Sequence, residues 1–125
     1  MKQILLIGFG GFLGSIARYL VSKLNIVWQF YNIPMGTLVV NIVGSLLIGF
    51  FAGLLAHNIT SNENLKLFLI TGICGGFTTF SAFAFENMQL IQNGHNVAAI
   101  IYISVSVFLG IIAVIGGLVL SKSFI

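Results

Sequence analysis

Four apolar runs, each about 20 residues long, fill almost all of this 125-residue chain and leave it few ways to fold. The runs extend from about Ile4 to Leu24, Gly36 to Ala56, Leu65 to Ile91 and Val97 to Leu120. A helix crossing the roughly 30 Å hydrocarbon core of a bilayer needs that length. Only 6% of the residues are charged against 58% apolar, whereas a soluble domain carries about 25% charged residues. In lipid the backbone must satisfy its own hydrogen bonds, which selects helices. The chain therefore reads as an all-α membrane protein, one domain over residues 1–125, with four transmembrane helices and a multi-pass place in the cell (inner or plasma) membrane.

The connections agree. Lys2 before an apolar run imitates a signal peptide, but Arg18 within that run and the lack of a small-residue cleavage site predict a retained first span. Pro34 stands where it can open the second helix. Ser61 or Asn62 can cap the third, with Glu63 in its first turn. Asn93-Gly94 ends the third span in a tight turn. His57 and His95 fall at span ends and read as interfacial residues.

The third run is interrupted at its centre. Gly72-Ile73-Cys74-Gly75-Gly76-Phe77-Thr78-Thr79 holds three glycines and two β-branched threonines in eight positions. Broken backbone survives in a membrane where it is buried in protein or lines a cavity, and transporters aim such breaks at ions. This stretch is a candidate ion site. The single cysteine, Cys74, excludes an internal disulfide and reads as packing.

Polar residues inside the spans form two tracks. Thr37, Asn41 and Ser45 recur every four residues in the second span, and Tyr102, Ser106 and Gly110 do so in the fourth. Asn41 needs partners at mid-depth: either an interhelical hydrogen bond or a place lining a pore. Hydroxyls can return a bond to the preceding turn. Facing each other, the tracks would make a corridor of neutral donors suited to a small anion. Phe80 and Phe83 share a face just after the break, and aromatic rings have a positive edge that can meet an anion. Glu86 and Arg18 are the charges nearest the membrane interior and so are functional candidates. Glu86 suits a vestibule, a structural acceptor or a proton carrier; Arg18 and Lys23 suit snorkelling, local structure or a mouth that concentrates anions. Small residues at packing spacing (Gly10 and Gly14; Ser45, Gly49 and Gly53) argue for close helix contact, within the chain or between subunits.

Charge placement bears on topology. With four spans, Lys2, Lys66 and Lys122 lie on one side, and Arg18 and Lys23 on the other. The positive-inside rule needs a clear excess, so the chain is a candidate for dual-topology insertion and an antiparallel homodimer. Five basic residues are too few for a nucleic-acid surface, and no nucleophile–base–acid set or phosphate loop appears. An enzyme is not expected.

Three motifs, in order, resemble those of the Fluc/CrcB fluoride channels: Gly10-Gly11-Phe12-Leu13-Gly14 with Arg18-Tyr19, Gly36-Thr37-Leu38-Val39-Val40-Asn41, and Gly75-Gly76-Phe77-Thr78-Thr79-Phe80-Ser81-Ala82-Phe83. The resemblance covers essentially the whole chain; Ala82 departs from the family's usual threonine. It implies passive fluoride export through two pores at the interface of a dual-topology antiparallel homodimer, with the third helix broken at mid-membrane. It also implies a central structural sodium ion held by the backbone carbonyls of Gly75 and Thr78. The pore residues it implies are Asn41, Phe80, Phe83, Tyr102, Ser106 and Thr37, with Arg18 and Glu86 at vestibule or structural positions and Gly110 departing from the hydroxyl track. The competing reading is a small proton-coupled multidrug-type exporter. That class carries a carboxylate in its first helix, where this chain has none.

Overall fold

The computed structural model describes residues 1–56 and 63–125. The cap expected at Ser61 or Asn62, and His57, lie outside the described residues. Helix α1 spans Lys2–Ser22 and continues after a one-residue step into the short α2, Leu24–Val27. Helix α3 spans Met35–Ala56. The third run begins as α4, Glu63–Lys66, widens into a π-helical stretch, Leu67–Cys74, and closes with the single turn α5, Gly75–Phe77. After two extended residues it resumes as α6, Phe80–Gln92. Helix α7, Asn96–Ser121, completes the set and ends in a 3-10 turn, Lys122–Phe124. Among the described residues, four segments are long and apolar enough to cross a membrane: Lys2–Val27, Met35–Ala56, Glu63–Gln92 and Asn96–Phe124. The protein is a multi-pass membrane protein.

One element departs from the all-α expectation. Between α2 and α3 a two-stranded antiparallel hairpin pairs β1, Gln29–Phe30, with β2, Ile33–Pro34. Its turn residues Tyr31 and Asn32 both have positive φ, 53° and 68°, the pattern of the mirror-image turn that matches strand twist. Pro34 thus ends a strand, and α3 opens at the next residue.

Helix ends follow local chemistry. The turn between α6 and α7 is closed by Gly94 at φ 82°. The His95 N–H donates to the Leu90 carbonyl (2.8 Å) and the Gly94 N–H to the Ile91 carbonyl (3.1 Å), the paired bonds of a Schellman ending. Thr79 caps α6, its side chain accepting from the Ala82 N–H at 3.2 Å.

Glycine sets which spans touch. The Gly10–Gly14 face of α1 lies against the third span of the same chain. A Cβ on Gly14 would strike the Ile73 carbonyl oxygen and come within 2.9 Å of the Phe77 nitrogen, and one on Gly10 would come within 2.9 Å of the Gly72 Cα. The Gly49 and Gly53 row of α3 faces Val114 and Ser121 of α7. These small-residue faces therefore pack within one chain. Lipid drives helices together by contact and not by apolar burial, so the buried core is small. It centres on Leu38, Leu90, Ala98, Ala99 and Tyr102, joined by Ile33 of the hairpin.

A pair of neighbouring substitutions tests this packing. A Cβ at Gly117 would meet the Leu46 carbonyl oxygen and, at 2.6 Å, the Phe50 nitrogen, whereas one at Gly116 meets only the Leu46 Cδ1 at 3.8 Å. Backbone atoms have nowhere to go, and overpacking costs about 1–3 kcal/mol or more. Gly117→Ala is expected to lower the thermal midpoint in detergent markedly, and Gly116→Ala to leave it within a degree or two of wild type.

Candidate functional site

The two residues that interrupt the third span are Thr78 (φ −82°, ψ 157°) and Thr79 (φ −148°, ψ 122°), both extended. A helix broken here leaves orphaned amides and carbonyls, and in a membrane each needs a partner. The N–H and hydroxyl of Thr78 both donate to the Cys74 carbonyl, at 3.0 and 2.9 Å. Buried Cys74 is packed at this corner with a free thiol.

Asn41 serves Thr79. From α3 its Nδ2 donates to the Thr79 carbonyl (3.0 Å) while its Oδ1 accepts from the Thr79 N–H (2.8 Å). One carboxamide thus mimics a strand neighbour for the extended residue. Of the two sequence readings of Asn41, the interhelical bond is present, and one N–H of its amide remains for another acceptor. On the other side of the break, Arg18 Nε donates to the Gly76 carbonyl at 3.0 Å. Arg18 is therefore local structure and does not snorkel. Lys23 lies over the ring of Tyr19, 5.3 Å from its centroid.

Among the described residues, none of the hydrogen bonds around the break ends on the carbonyl of Gly75 or of Thr78. Gly75 is exposed on the flank of the chain. Two oxygens with no assigned donor, one on an open surface, suit a hard cation or a second protein surface.

Beside the break lies an open groove of about 300 Å³ lined by Asn41, Ser45, Thr78, Thr79, Phe80, Phe83 and Ser106, with Ile48 and Val107. Phe80 is 79% exposed, and its ring lies 6.0 Å from that of Phe83 at 49°. The Ser45 hydroxyl is occupied, donating to the Asn41 carbonyl at 2.7 Å. The Ser106 oxygen is buried and has no partner among the described residues. A Cβ on Gly110 would come to 3.8 Å from the Ser45 oxygen, so that end of the track has room but no donor.

Thr37 and Tyr102 sit elsewhere. Both donate their single hydroxyl proton to Glu86, Thr37 to Oε2 (2.7 Å) and Tyr102 to Oε1 (2.8 Å). Tyr102 is 1% exposed and its ring meets that of Phe83 edge-on, centroids 4.9 Å apart at 74°. The expected corridor therefore divides into the groove, with Asn41, Phe80, Phe83 and Ser106, and a carboxylate cluster, with Thr37, Tyr102 and Glu86. The cluster borders a polar cavity of about 240 Å³ that Glu86 shares with Gln29, Asn32, Gln89, Asn93 and His95.

Two members of this region have no counterpart in the sequence reading. Asn25, at the start of α2, touches both Thr37 and Glu86. Asn87 is buried, its Nδ2 donating to the Phe83 carbonyl at 2.9 Å while its Oδ1 has no partner among the described residues. A polar side chain adjoining Glu86 on an apolar helix was the available signal for Asn87. Asn25 had none, since a polar residue at a span end reads as interfacial.

The family described as CrcB-like protein, Camphor Resistance (CrcB), matches residues 5–118. A fluoride-specific ion channel FluC of Flavobacterium psychrophilum is 48% identical over 122 residues, covering 98% of each chain. One of Azobacteroides pseudotrichonymphae is 43% identical over 124 residues, 99% of each, and one of Rhizobium meliloti 42% identical over 129 residues, 100% of each.

Proposed function

This chain belongs to the CrcB family, and we propose that it is a fluoride-selective channel that lets cytosolic fluoride leak out passively. The observation that carries the reading is the groove beside the break. It gathers a free amide N–H of Asn41, the unpartnered hydroxyl of Ser106 and the rings of Phe80 and Phe83 in one place without a fixed positive charge. A fluoride ion losing water needs donors, yet a lysine or arginine there would trap it. Neutral donors and the positive edges of aromatic rings offer compensation weak enough for exit, which is what conduction requires. In acid surroundings hydrogen fluoride crosses lipid and ionises inside, and a channel returns the trapped anion down its gradient.

The groove is open in a single chain, so a second copy would wall it. The near-even distribution of basic residues supports insertion in both orientations, and an antiparallel pair would carry two such grooves as two pores. A sodium ion at the pair's centre fits the carbonyls of Gly75 and Thr78, since hard cations take oxygen ligands. When bound, the ion would balance the carbonyl dipoles that the two broken helices bring together. Arg18 and Asn41 keep the neighbouring backbone satisfied, and Thr37, Tyr102 and Glu86 back the ring of Phe83 at the mouth. The exporter reading draws no support, because the first span carries no carboxylate and Glu86, inside the third, is engaged by two hydroxyls.

Liposomes loaded with fluoride or chloride provide the test. The reconstituted protein is expected to release fluoride electrogenically, tracked by an ion-selective electrode with a potassium ionophore present, and to retain chloride. No fluoride release from vesicles shown to contain folded protein would sink the proposal.

A further inference from the structure

Asn25 is joined to α3 and α6 through three contacts. Its Oδ1 accepts from the Thr37 N–H at 2.9 Å, its Nδ2 donates to the Thr37 hydroxyl oxygen at 3.0 Å, and the same Nδ2 lies 3.5 Å from Glu86 Oε2. The first contact is a cap. Thr37 lies in the first turn of α3, whose N–H groups have no partner within the helix, and Asn25 serves one of them from a neighbouring element. The second contact does something a cap does not. A threonine hydroxyl has one proton. With its oxygen already accepting from Asn25, that proton points away from Asn25, and Glu86 Oε2 waits 2.7 Å off.

We infer that Asn25 is a positioning residue: by donating to Thr37 it directs the Thr37 proton onto Glu86 and so fixes the carboxylate that holds Tyr102. The chain of contacts then reaches the groove. Glu86 Oε1 accepts from the Tyr102 hydroxyl, and the Tyr102 ring braces Phe83, whose face lines the groove. A half-buried carboxylate with fewer donors would rearrange toward the polar cavity, since an unsatisfied charge away from bulk water is costly. Close approach makes Asn25 hard to replace here. A Cβ on Gly36 would already lie 2.7 Å from Asn25 Oδ1 and 2.9 Å from the Val21 carbonyl oxygen, so α3 approaches Asn25 closely only because residue 36 is glycine.

The effect on flux rests on the channel reading; the hydrogen-bond role does not. The first variant is Asn25→Asp. It keeps an oxygen for the Thr37 N–H but replaces the donating amide with an acceptor, so the Thr37 proton turns toward the introduced carboxylate and Glu86 loses it. Aspartate caps as well as asparagine, but it also sets a second carboxylate where Nδ2 lies 3.5 Å from Glu86 Oε2, so Asn25→Ala, which removes the donor without adding charge, is run through the same cycle and must show the same non-additivity. If Asn25 positions Glu86, N25D slows fluoride release by about tenfold or more while the protein stays folded. That loss then shrinks when Glu86→Gln is added, because an amide at residue 86 again gives the side chain at position 25 a hydrogen-bond partner. The cycle of N25D, E86Q and the double variant is measured twice, by fluoride efflux from liposomes and by thermal midpoint in detergent.

Non-additivity in both measurements supports the inference, and wild-type flux in N25D or additive effects in the Asn25→Ala cycle would overturn it. Should N25D not fold, the Asn25→Ala cycle decides alone by the same criterion. Should the wild-type protein release no fluoride, the channel proposal fails alone, and the thermal cycle still decides whether Asn25 and Glu86 are coupled.

Discussion

Replacing Asn41 with alanine is expected to cost the protein more than any other single polar substitution. The side chain is the only partner that the described residues give the Thr79 N–H, and it adds a second donor to the Thr79 carbonyl, which as the cap of α6 also takes the first bond of that helix. Leaving that N–H unsatisfied costs about 1–3 kcal/mol, and the lost second bond to the carbonyl adds about 1 kcal/mol. Water entering through the groove would recover part of this at the expense of the break's shape. Asn41→Ala should therefore lower the thermal midpoint clearly and reduce fluoride efflux by about a hundredfold. Asn41→Asp separates the two roles of the amide. Aspartate still accepts from the Thr79 N–H, but it turns a carboxylate oxygen toward the Thr79 carbonyl, a repulsion where a 3.0 Å hydrogen bond stood. It also places negative charge in a groove proposed to carry an anion. N41D should thus lose flux as completely as N41A. Efflux from liposomes and unfolding in detergent, measured on both variants, check the two effects; near-normal flux in N41D would remove Asn41 from the pathway.

Part of this arrangement was legible in the sequence, and the reason differs from residue to residue. The spans were readable because hydrophobic length is a one-dimensional property, and their ends differ from Lys2–Val27, Met35–Ala56, Glu63–Gln92 and Asn96–Phe124 by only a few residues. The helix interruption was readable from glycine and threonine density, and Thr78 and Thr79 are where the backbone extends. The π-helical stretch before it was not, because Leu67–Cys74 contains no residue that distinguishes a wide turn from an ordinary one. Gly10 and Gly14 announced a close contact without naming its partner; the smallness of a side chain says how near a neighbour comes, not which neighbour. The hairpin escaped because strands of two residues are too short to show alternation. Asn25 escaped with it, since only the chain reversal through Gln29–Pro34 brings Asn25 back onto Thr37. Thr37 and Tyr102 had the right spacing for a hydroxyl track, yet spacing along a helix fixes a face and not an acceptor. Glu86, from another helix, claims both protons.

Arg18 should prove the second support of the break, and its removal distinguishes a clamp from a chain of independent contacts. It reaches the Gly76 carbonyl from α1, while Asn41 reaches Thr79 from α3, so the extended residues are held from both ends by different helices. A hydrogen bond from a charged donor is worth about 1.5–3 kcal/mol, and Arg18→Met, which keeps much of the apolar stem, removes that bond with little loss of packing. Lysine is no substitute: the bond comes from Nε, part of a planar fork that an ammonium lacks. Arg18→Met and Arg18→Lys are both expected to lower the thermal midpoint and to cut fluoride efflux by about tenfold or more. Combining R18M with N41A tests the clamp. Residues far apart with separate partners act additively within about 0.5 kcal/mol, whereas residues sharing one backbone element do not. If the two side chains hold a single element, the first substitution already lets Gly75–Thr79 rearrange, and the second adds much less than it does alone. Additive losses would mean instead that Gly76 and Thr79 move independently, and the break would then be two local defects rather than one rigid feature of the pore.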